Sequence, residues 1–410
     1  MMRIQKGSFF LGKHIAFPLL VSVALLLGDV SKSCGESVAG VTDTSVKIGL
    51  MGDLTGPLAD GWLQIADGAK AFFKMVNDGG GIHGRKIKYI LEDDRYSIPL
   101  ALACFKKLVY KDKVFIMQAA SGWGHTAALI PLVEKQKIPL MAGTGEKKFF
   151  VPARRYIFSV GPWYEDQAKL VVEYIFNDLK MKNSAVALMY PDTVSGKQTR
   201  DAFRKLIKVY PVTKYREVTF SLTALDYTSE VLTLKQFKPD VLCIHGYVVD
   251  TTSIAKAARR LGLNVPIIVN QYACADEVMA VGGKAVQGIV AVNCFGTWDD
   301  DSPGVATLRK ATLAYNPKVQ RRSAYFFQGW IVALMFCEGF RNAGRDLTRE
   351  IYVNGLEAIR DFDTQGICGI ISFGPNDRKP FDNHRFYKAD INKKKFVPIS
   401  GWRTPREYDF

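Results

Sequence analysis

From residue 44 onward the chain alternates short, wholly apolar runs with longer segments whose apolar side chains return every three or four positions. "VKIGLM" is followed by a stretch in which Ile65, Ala69, Phe72 and Val76 share one helical face, closed by the "DGGG" of Asp78 to Gly81. The same rhythm predicts strands at "KIKYILED", "VFIMQA", "IPLMAG", "AVALMY", "VTKYREVTF", "DVLCIHG", "PIIVNQ" and "GIVAVNCF". Between them it predicts helices at "PLALACFKKLVYK", "TAALIPLVEKQ", "SGKQTRDAFRKLIKVY", "SEVLTLKQF" and "TTSIAKAARRLG". The strands do not alternate polar with apolar, as expected when helices cover both faces of a parallel sheet. Repeated βα units predict a doubly wound α/β architecture with right-handed crossovers. About ten such strands exceed one ordinary sheet, so two lobes are expected. No low-complexity linker separates them, which predicts lobes joined by several chain crossings. Beyond Pro303 the pattern turns helical, and "SAYFFQGWIVALMFCEGF" (Ser323 to Phe340) reads as a buried core helix, too polar at Gln328 and Glu338 to span a bilayer. "GICGIISF" and "HRFYKADINKKKFVPIS" close the chain as β-structure.

The first 40 residues break this rhythm. Arg3, Lys6 and Lys13 precede a 14-residue apolar run, Ile15 to Gly28, and small polar residues follow. That is the layout of a secretory signal peptide over 1–33, with cleavage expected after Ser33 or as late as Ala39. Cys34 occupies the place of an acylated lipoprotein cysteine, but Ser31-Lys32-Ser33 lacks the Leu usual three positions upstream, which disfavours lipidation. Export to the periplasm is the expected localisation. The 410 residues carry 55 Lys+Arg against 40 Asp+Glu, a formal charge of +15, yet the longest basic run is Lys393 to Lys395. Scattered charge argues for solvated surface and against a nucleic-acid partner. Seven cysteines at wide, uneven spacings contain no C-x-x-C, and Cys104, Cys243 and Cys337 lie in apolar runs as small core residues.

Phosphate and catalytic patterns fail in turn. The glycines at 49, 52, 56 and 61 do not form G-x-G-x-x-G, and "SGKQT" at Ser195 lacks the upstream Gly of a phosphate loop. No H-E-x-x-H or G-x-S-x-G occurs; "ASGWG" has Ser121 but Ala119 at the first glycine position. "EDD" (Glu92 to Asp94) ends a strand, where adjacent side chains point to opposite faces, and reads as a solvated or salt-bridged strand end. Neither an enzyme activity nor a cofactor or metal is indicated. What remains is a set of loops at strand carboxyl ends: "GDLTGPLADGW", "AASGWGHT", "AGTGE", "YPDTVSG", "HGYVVD" and "NQYACAD". In a doubly wound fold such loops gather at one end of each sheet, where small residues let backbone amides reach a ligand. Trp62, Trp123, Tyr247 and Tyr272 would wall a joint pocket.

These loops also carry a resemblance. "VKIGLMGDLTGPLADGW", "GAKAFFKMVNDGGGIHGRKIKYILEDD" and "KPDVLCIHGY" with "AARRLGL", in that order and spacing, resemble the leucine/isoleucine/valine-binding solute receptors of branched-chain amino acid ABC transporters over residues 44–400. The resemblance implies a type I periplasmic binding protein fold: two doubly wound parallel-sheet lobes joined by a three-segment hinge. Lobe 1 would comprise 44–161 and 291–367, lobe 2 would comprise 162–290 and 368–400, and 401–410 would be a tail. By motif, Thr55 and Trp62, the Ser121, Gly122, Trp123 and His125 loop, and the Ala142, Gly143 and Thr144 turn would bind a ligand carboxylate from lobe 1. Asp192, Ser195, Gly246, Tyr247, Gln271 and Tyr272 would close on it from lobe 2. The implied function is delivery of a small amino acid, organic acid or amide to an inner-membrane ABC permease and ATPase complex. A periplasmic sensing module for a separate membrane sensor is the alternative, and an exported α/β hydrolase a more distant one. Two departures stand out. "SGWGHT" replaces consecutive Ser or Thr, and the acid expected for a ligand ammonium is absent at Gln271 and Tyr272, with Asp276 a few residues on. Both point to a solute other than a branched-chain amino acid. The family's disulfide near the start of lobe 1 also has no match, since only Cys104 lies nearby.

Overall fold

The computed structural model describes residues 38–119, 121–318 and 321–408. The signal-peptide reading and Cys34 lie outside them. Residues from Val38 form one compact unit.

The first half runs β1 (Ser45–Gly52), α1 (Ala59–Asp78), β2 (Lys86–Asp93), α2 (Ile98–Lys106), β3 (Ile116–Ala119), α3 (Trp123–Gln136), β4 (Leu140–Ala142) and β5 (Ile157–Ser159). These strands form a five-stranded parallel sheet in the order β2-β1-β3-β4-β5. The chain then continues through α4 (Tyr164–Glu173), β6 (Ser184–Pro191), α5 (Val194–Leu206), β7 (Val212–Phe220), α6 (Thr228–Phe237), β8 (Val241–Ile244), α7 (Val248–Arg260), β9 (Ile267–Val269), α8 (Glu277–Gly282) and β10 (Val290–Asn293). Three helices follow, α9 (Pro303–Tyr315), α10 (Ala324–Ala343) and α11 (Arg349–Glu357), then the hairpin β11 (Arg385–Asp390) and β12 (Lys395–Pro398). The second sheet is ordered β12-β11-β10-β9-β8-β6-β7, parallel from β7 to β10 and antiparallel at β11 and β12.

Burial explains the apolar runs. Ile48, Leu50, Ile116, Met117 and Leu140 are buried in the first sheet, and Val186, Leu188, Leu242 and Ile268 in the second. The first sheet's core includes α9 to α11, so a segment distant in sequence completes it. Trp330, Phe326, Phe327 and Phe336 of α10 are all at most 2% exposed, and among the described residues no helix is long and apolar enough to cross a membrane. α10 crosses α1 at backbone contact: a Cβ on Gly329 would stand 1.9 Å from the Ile65 carbonyl oxygen, and one on Gly68 would stand 2.1 Å from that of Phe326. Only hydrogen at these two positions allows the helices to meet so closely.

Several details differ from the sequence expectation. "GICGIISF" is not a strand; it makes isolated bridges only, Phe295 with Cys368 and Phe362 with Ile371. Ile371, Phe373 and Phe381 pack into the core of the first sheet, beyond the expected boundary at 367. The 401–408 tail is tied down: Arg403 pairs with Asp178 at 2.7 Å, and the Tyr408 hydroxyl contacts Tyr210 and Glu173. The six cysteines of the described residues are free and buried. Burial raises the thiols of Cys104, to about 11, and of Cys243 and Cys337, so they remain protonated packing groups.

Candidate functional site

Each sheet has the strand order that places its reversal between its first and third strands, β1 and β3 in one and β6 and β8 in the other. Loops leaving the carboxyl ends at such a reversal diverge and leave a crevice. A cavity of about 500 Å³ occupies this place, lined from both sheets. The first supplies Pro57 and Leu58 of the β1–α1 connection, Asp60, Gly61, Trp62 and Ile65 of the first turns of α1, Tyr96 after β2, Ser121 to Gly124 at the start of α3, and Gly143 after β4. The second supplies Asp192 to Ser195 and Lys197 after β6, Tyr247 to Val249 after β8, and Tyr272 after β9. Tyr164 at the start of α4 and Tyr325 and Gln328 of α10 complete the wall.

The expected site residues divide into two groups. Trp62, Ser121, Gly122, Trp123, Gly143, Asp192, Ser195, Tyr247 and Tyr272 line the cavity. The others stand behind it or away from it. The Thr55 hydroxyl donates to Asp93 Oδ2 at 2.6 Å, and the Gly56 and Leu58 amides donate to the buried Asp53. This loop therefore spends its donors on its own Asp53 and on Asp93 at the end of β2. His125 is buried against the Tyr96 ring at 5.0 Å and supports that ring from behind. Ala142 ends β4 inside the core, and Thr144 is 3% exposed. Gly246 is small for packing: a Cβ there would stand 2.4 Å from Asp250 Oδ2. Gln271 accepts from the Cys294 thiol at 2.9 Å behind Tyr272. Asp276 is held by Arg321 at 2.7 Å and is not among the lining residues.

Tyr96, Tyr164, Tyr325, Gln328 and Lys197 were not expected. Tyr96 follows a strand carboxyl end and was legible by that rule; it and Arg95 take left-handed backbone at φ 56° and 49°. That conformation is uncommon for such residues. Tyr325 lies in a helix that follows another helix, so only the fold brings it to the cleft, while Tyr164 opens α4 just after the three-residue β5, a strand the apolar runs did not bring out.

Aromatic rings dominate the interior. Tyr247 stacks on Tyr272 at 5.4 Å, Tyr272 on Tyr325 at 6.1 Å, and Tyr164 lies 6.5 Å from Tyr272. Burial foremost raises the Tyr247, Tyr272 and Tyr325 phenols, so their hydroxyls remain donors at neutral pH. Behind this wall His245 presents its edge to Tyr164 and Tyr272. Its Nδ1 contacts the Thr199 hydroxyl at 3.0 Å and the Asn270 amide nitrogen at 3.1 Å, so Nδ1 is the acceptor and Nε2 carries the proton. Burial holds this imidazole neutral, down to about 3.

Charge is handled outside the interior. Asp60, Asp192 and Lys197 are exposed at the rim, and Lys197 pairs with Asp192 at 2.6 Å. Besides Asp53, two buried carboxylates back the wall. Asp250 accepts the Tyr247 amide at 2.7 Å, and burial raises it to about 6. Asp94, expected as a solvated strand end, is fully buried and accepts the Ser121 hydroxyl at 2.5 Å and the Tyr96 amide at 3.0 Å. Desolvation raises its carboxyl above the ordinary value. Ser121 thus bonds to a carboxylate rather than to an imidazole, which is not the arrangement of an activated nucleophile.

Two α/β sheets whose switch points share one ring-lined cleft define a solute receptor of the type I periplasmic binding fold. The chain belongs to the periplasmic binding protein family, whose profile matches residues 45–395, and that family binds solutes rather than catalysing reactions. It is similar to the Leu/Ile/Val-binding protein BraC3 of Rhizobium johnstonii, 21% identical over 87% of this chain and 94% of that one. A fatty acid ABC transporter substrate-binding protein from Thermomonospora curvata superposes with a TM-score of 0.81 at 21% identity, covering 90% and 95% of the two chains. A branched-chain amino acid ABC transporter protein from Thermus thermophilus with bound valine superposes at 0.80, also at 21% identity, covering 89% and 97%.

Proposed function

We propose that the protein is the exported receptor of an ABC importer, taking a small organic acid, amide or amino acid between its lobes and presenting it to a membrane permease. The observation that carries this reading is the cavity itself: its lining comes from the carboxyl-end loops of both sheets, so a ligand bound there touches both halves. In this reading the chain passes between the halves after β5, after β10 and before β11, and the packing of Phe381 with the first core supports a third passage beyond that residue. Three passages of this kind form a hinge between lobes 44–161 and 294 to about 382, and 162–293 and about 383–400. A ligand that contacts both lobes favours the closed arrangement by its differential affinity, and the permease reads that state.

The test is a thermal-shift and calorimetric screen of organic acids, amides and amino acids on the mature chain. At a hundred times its Kd a ligand stabilises the protein by about 2.7 kcal/mol, a readily measured rise in Tm. A broad panel without a single stabilising solute refutes the reading.

A further inference from the structure

We infer that the solute is an aryl compound bearing no ammonium group, an arylalkanoic acid or its amide, rather than an aliphatic amino acid. This deepens the receptor reading and rests on it. The basis is the juxtaposition of a ring column with an absent counter-charge. Tyr247, Tyr272 and Tyr325 stack in sequence with interplanar angles of 29° and 19°, linking the second sheet's loops to α10 of the first half. Trp62 and Trp123 line the cavity from the first half, and Tyr164 borders it at the passage between the halves. A flat ring gains offset-stacked or edge-to-face contacts against such walls beyond the area it buries. An isobutyl or isopropyl group gains only the area.

The charge inventory excludes an ammonium. The lining carboxylates, Asp60 and Asp192, are exposed at the rim, and Asp192 is neutralised by Lys197. Of the carboxylates behind the wall, Asp53 is committed to the Gly56 and Leu58 amides, Asp250 to the Tyr247 amide and Asp94 to Ser121 and Tyr96. The second oxygen of Asp94 has no partner, but it is sealed from solvent and Asp94 does not line the cavity. An ammonium enclosed there would lose its hydration without gaining a counter-ion. An acid or amide oxygen fares better. The Tyr247 and Tyr325 hydroxyls make no hydrogen bond to protein among the described residues, and each can donate one to a ligand oxygen.

The stacked column also argues against a quaternary ammonium. A cation is recognised by ring faces converging on one point. Here Tyr247, Tyr272 and Tyr325 lie near parallel, 29° and 19° apart, so their faces do not converge on one point.

Five probes decide the matter by calorimetry on the mature chain: 3-phenylpropanoate, 3-phenylpropanamide, phenylalanine, leucine and choline. 3-Phenylpropanoate differs from phenylalanine only in lacking the ammonium, and 3-phenylpropanamide in addition replaces the carboxylate with an amide. Binding of 3-phenylpropanoate or its amide at least tenfold tighter than phenylalanine and leucine is the expected result, with quenching of the Trp62 and Trp123 emission. The acid and amide arms report which polar group the tyrosine hydroxyls prefer. Leucine or phenylalanine binding as tightly as the aryl acid overturns the inference while leaving the receptor reading intact; so does choline binding more tightly. Failure of all five overturns the inference, and failure of the broad solute panel as well overturns the receptor reading. A Tyr272→Leu variant should lose about tenfold in aryl affinity, while Tyr272→Phe, which keeps the ring, should retain it. Equal loss in both variants counts against the stacking role.

Discussion

His245 is buried behind the aromatic wall and offers a quantitative test of how that wall is held. Its folded-state value, about 3 against an ordinary 6.5, reflects burial of a ring whose Nδ1 accepts two hydrogen bonds. Protonation would convert that acceptor to a donor and place a charge beneath Tyr164 and Tyr272. The folded state therefore binds fewer protons than the unfolded one, and stability falls as pH drops below 6.5. The full shift corresponds to about 4 to 5 kcal/mol, lost progressively between pH 6.5 and 3. Between pH 7 and pH 5 the linkage relation gives a loss of about 2 kcal/mol from this residue. Urea denaturation of wild type and His245→Asn at both pH values, followed by circular dichroism, isolates it. Asn retains an acceptor near Thr199 and Asn270, and its lower absolute stability cancels when only the difference between pH values is read. The shared carboxylates, whose raised values act in the opposite direction, cancel as well. Wild type should lose about 2 kcal/mol more than the variant on going from pH 7 to pH 5. Equal losses to within about 0.5 kcal/mol would show that the imidazole is hydrated or already charged, and the reasoning would fail.

Four further outcomes follow from the same packing. Asp250 has a folded value of about 6 against 3.8, so the stability it supports is present at low pH and lost as pH rises through 6; Asp250→Asn should remove about 2 kcal/mol of that pH dependence, read by denaturation at pH 4 and 8. Gly329→Ala should cost at least about 3 kcal/mol in urea unfolding, because its methyl would meet the Ile65 carbonyl at 1.9 Å and force α1 from α10. Gly52→Ala would place a methyl 2.3 Å from the Trp62 ring; stability should fall by about 1–3 kcal/mol, with altered tryptophan emission and weaker solute binding as the ring is displaced. Thr55→Val should lower stability by about 1 kcal/mol through its lost bond to Asp93, yet leave solute affinity unchanged by calorimetry.

The legible part of the site followed one rule, that loops at strand carboxyl ends converge. It brought out Trp62, Ser121, Trp123, Tyr247 and Tyr272, because each follows an apolar run closely and the run's polarity of direction is written in the chain. The rule fails where a residue's role is set by a neighbour distant in sequence. Thr55 looked like a ligand donor, but Asp93, 38 residues on, takes its hydroxyl. Asp94 looked like a solvated strand end, but Ser121, 27 residues on, buries and engages it. Tyr325 reached the cleft through α10, which no local pattern ties to a strand end, and Tyr164 through α4 after β5, a strand of three residues too short to stand out as an apolar run.

By itself, the order of apolar runs and helical faces determined the doubly wound class, the number of halves and the end of each sheet where a solute must bind. Periodicity and strand direction are local properties, and each residue carries them whatever its distant neighbours are. Tertiary structure alone decided which donors remain free for a ligand, which carboxylates are sealed behind the wall, and that three tyrosines from three separate segments stack across the cleft. Those outcomes depend on contacts between residues dozens to hundreds of positions apart, where burial, not local pattern, sets both hydrogen-bond partners and charge.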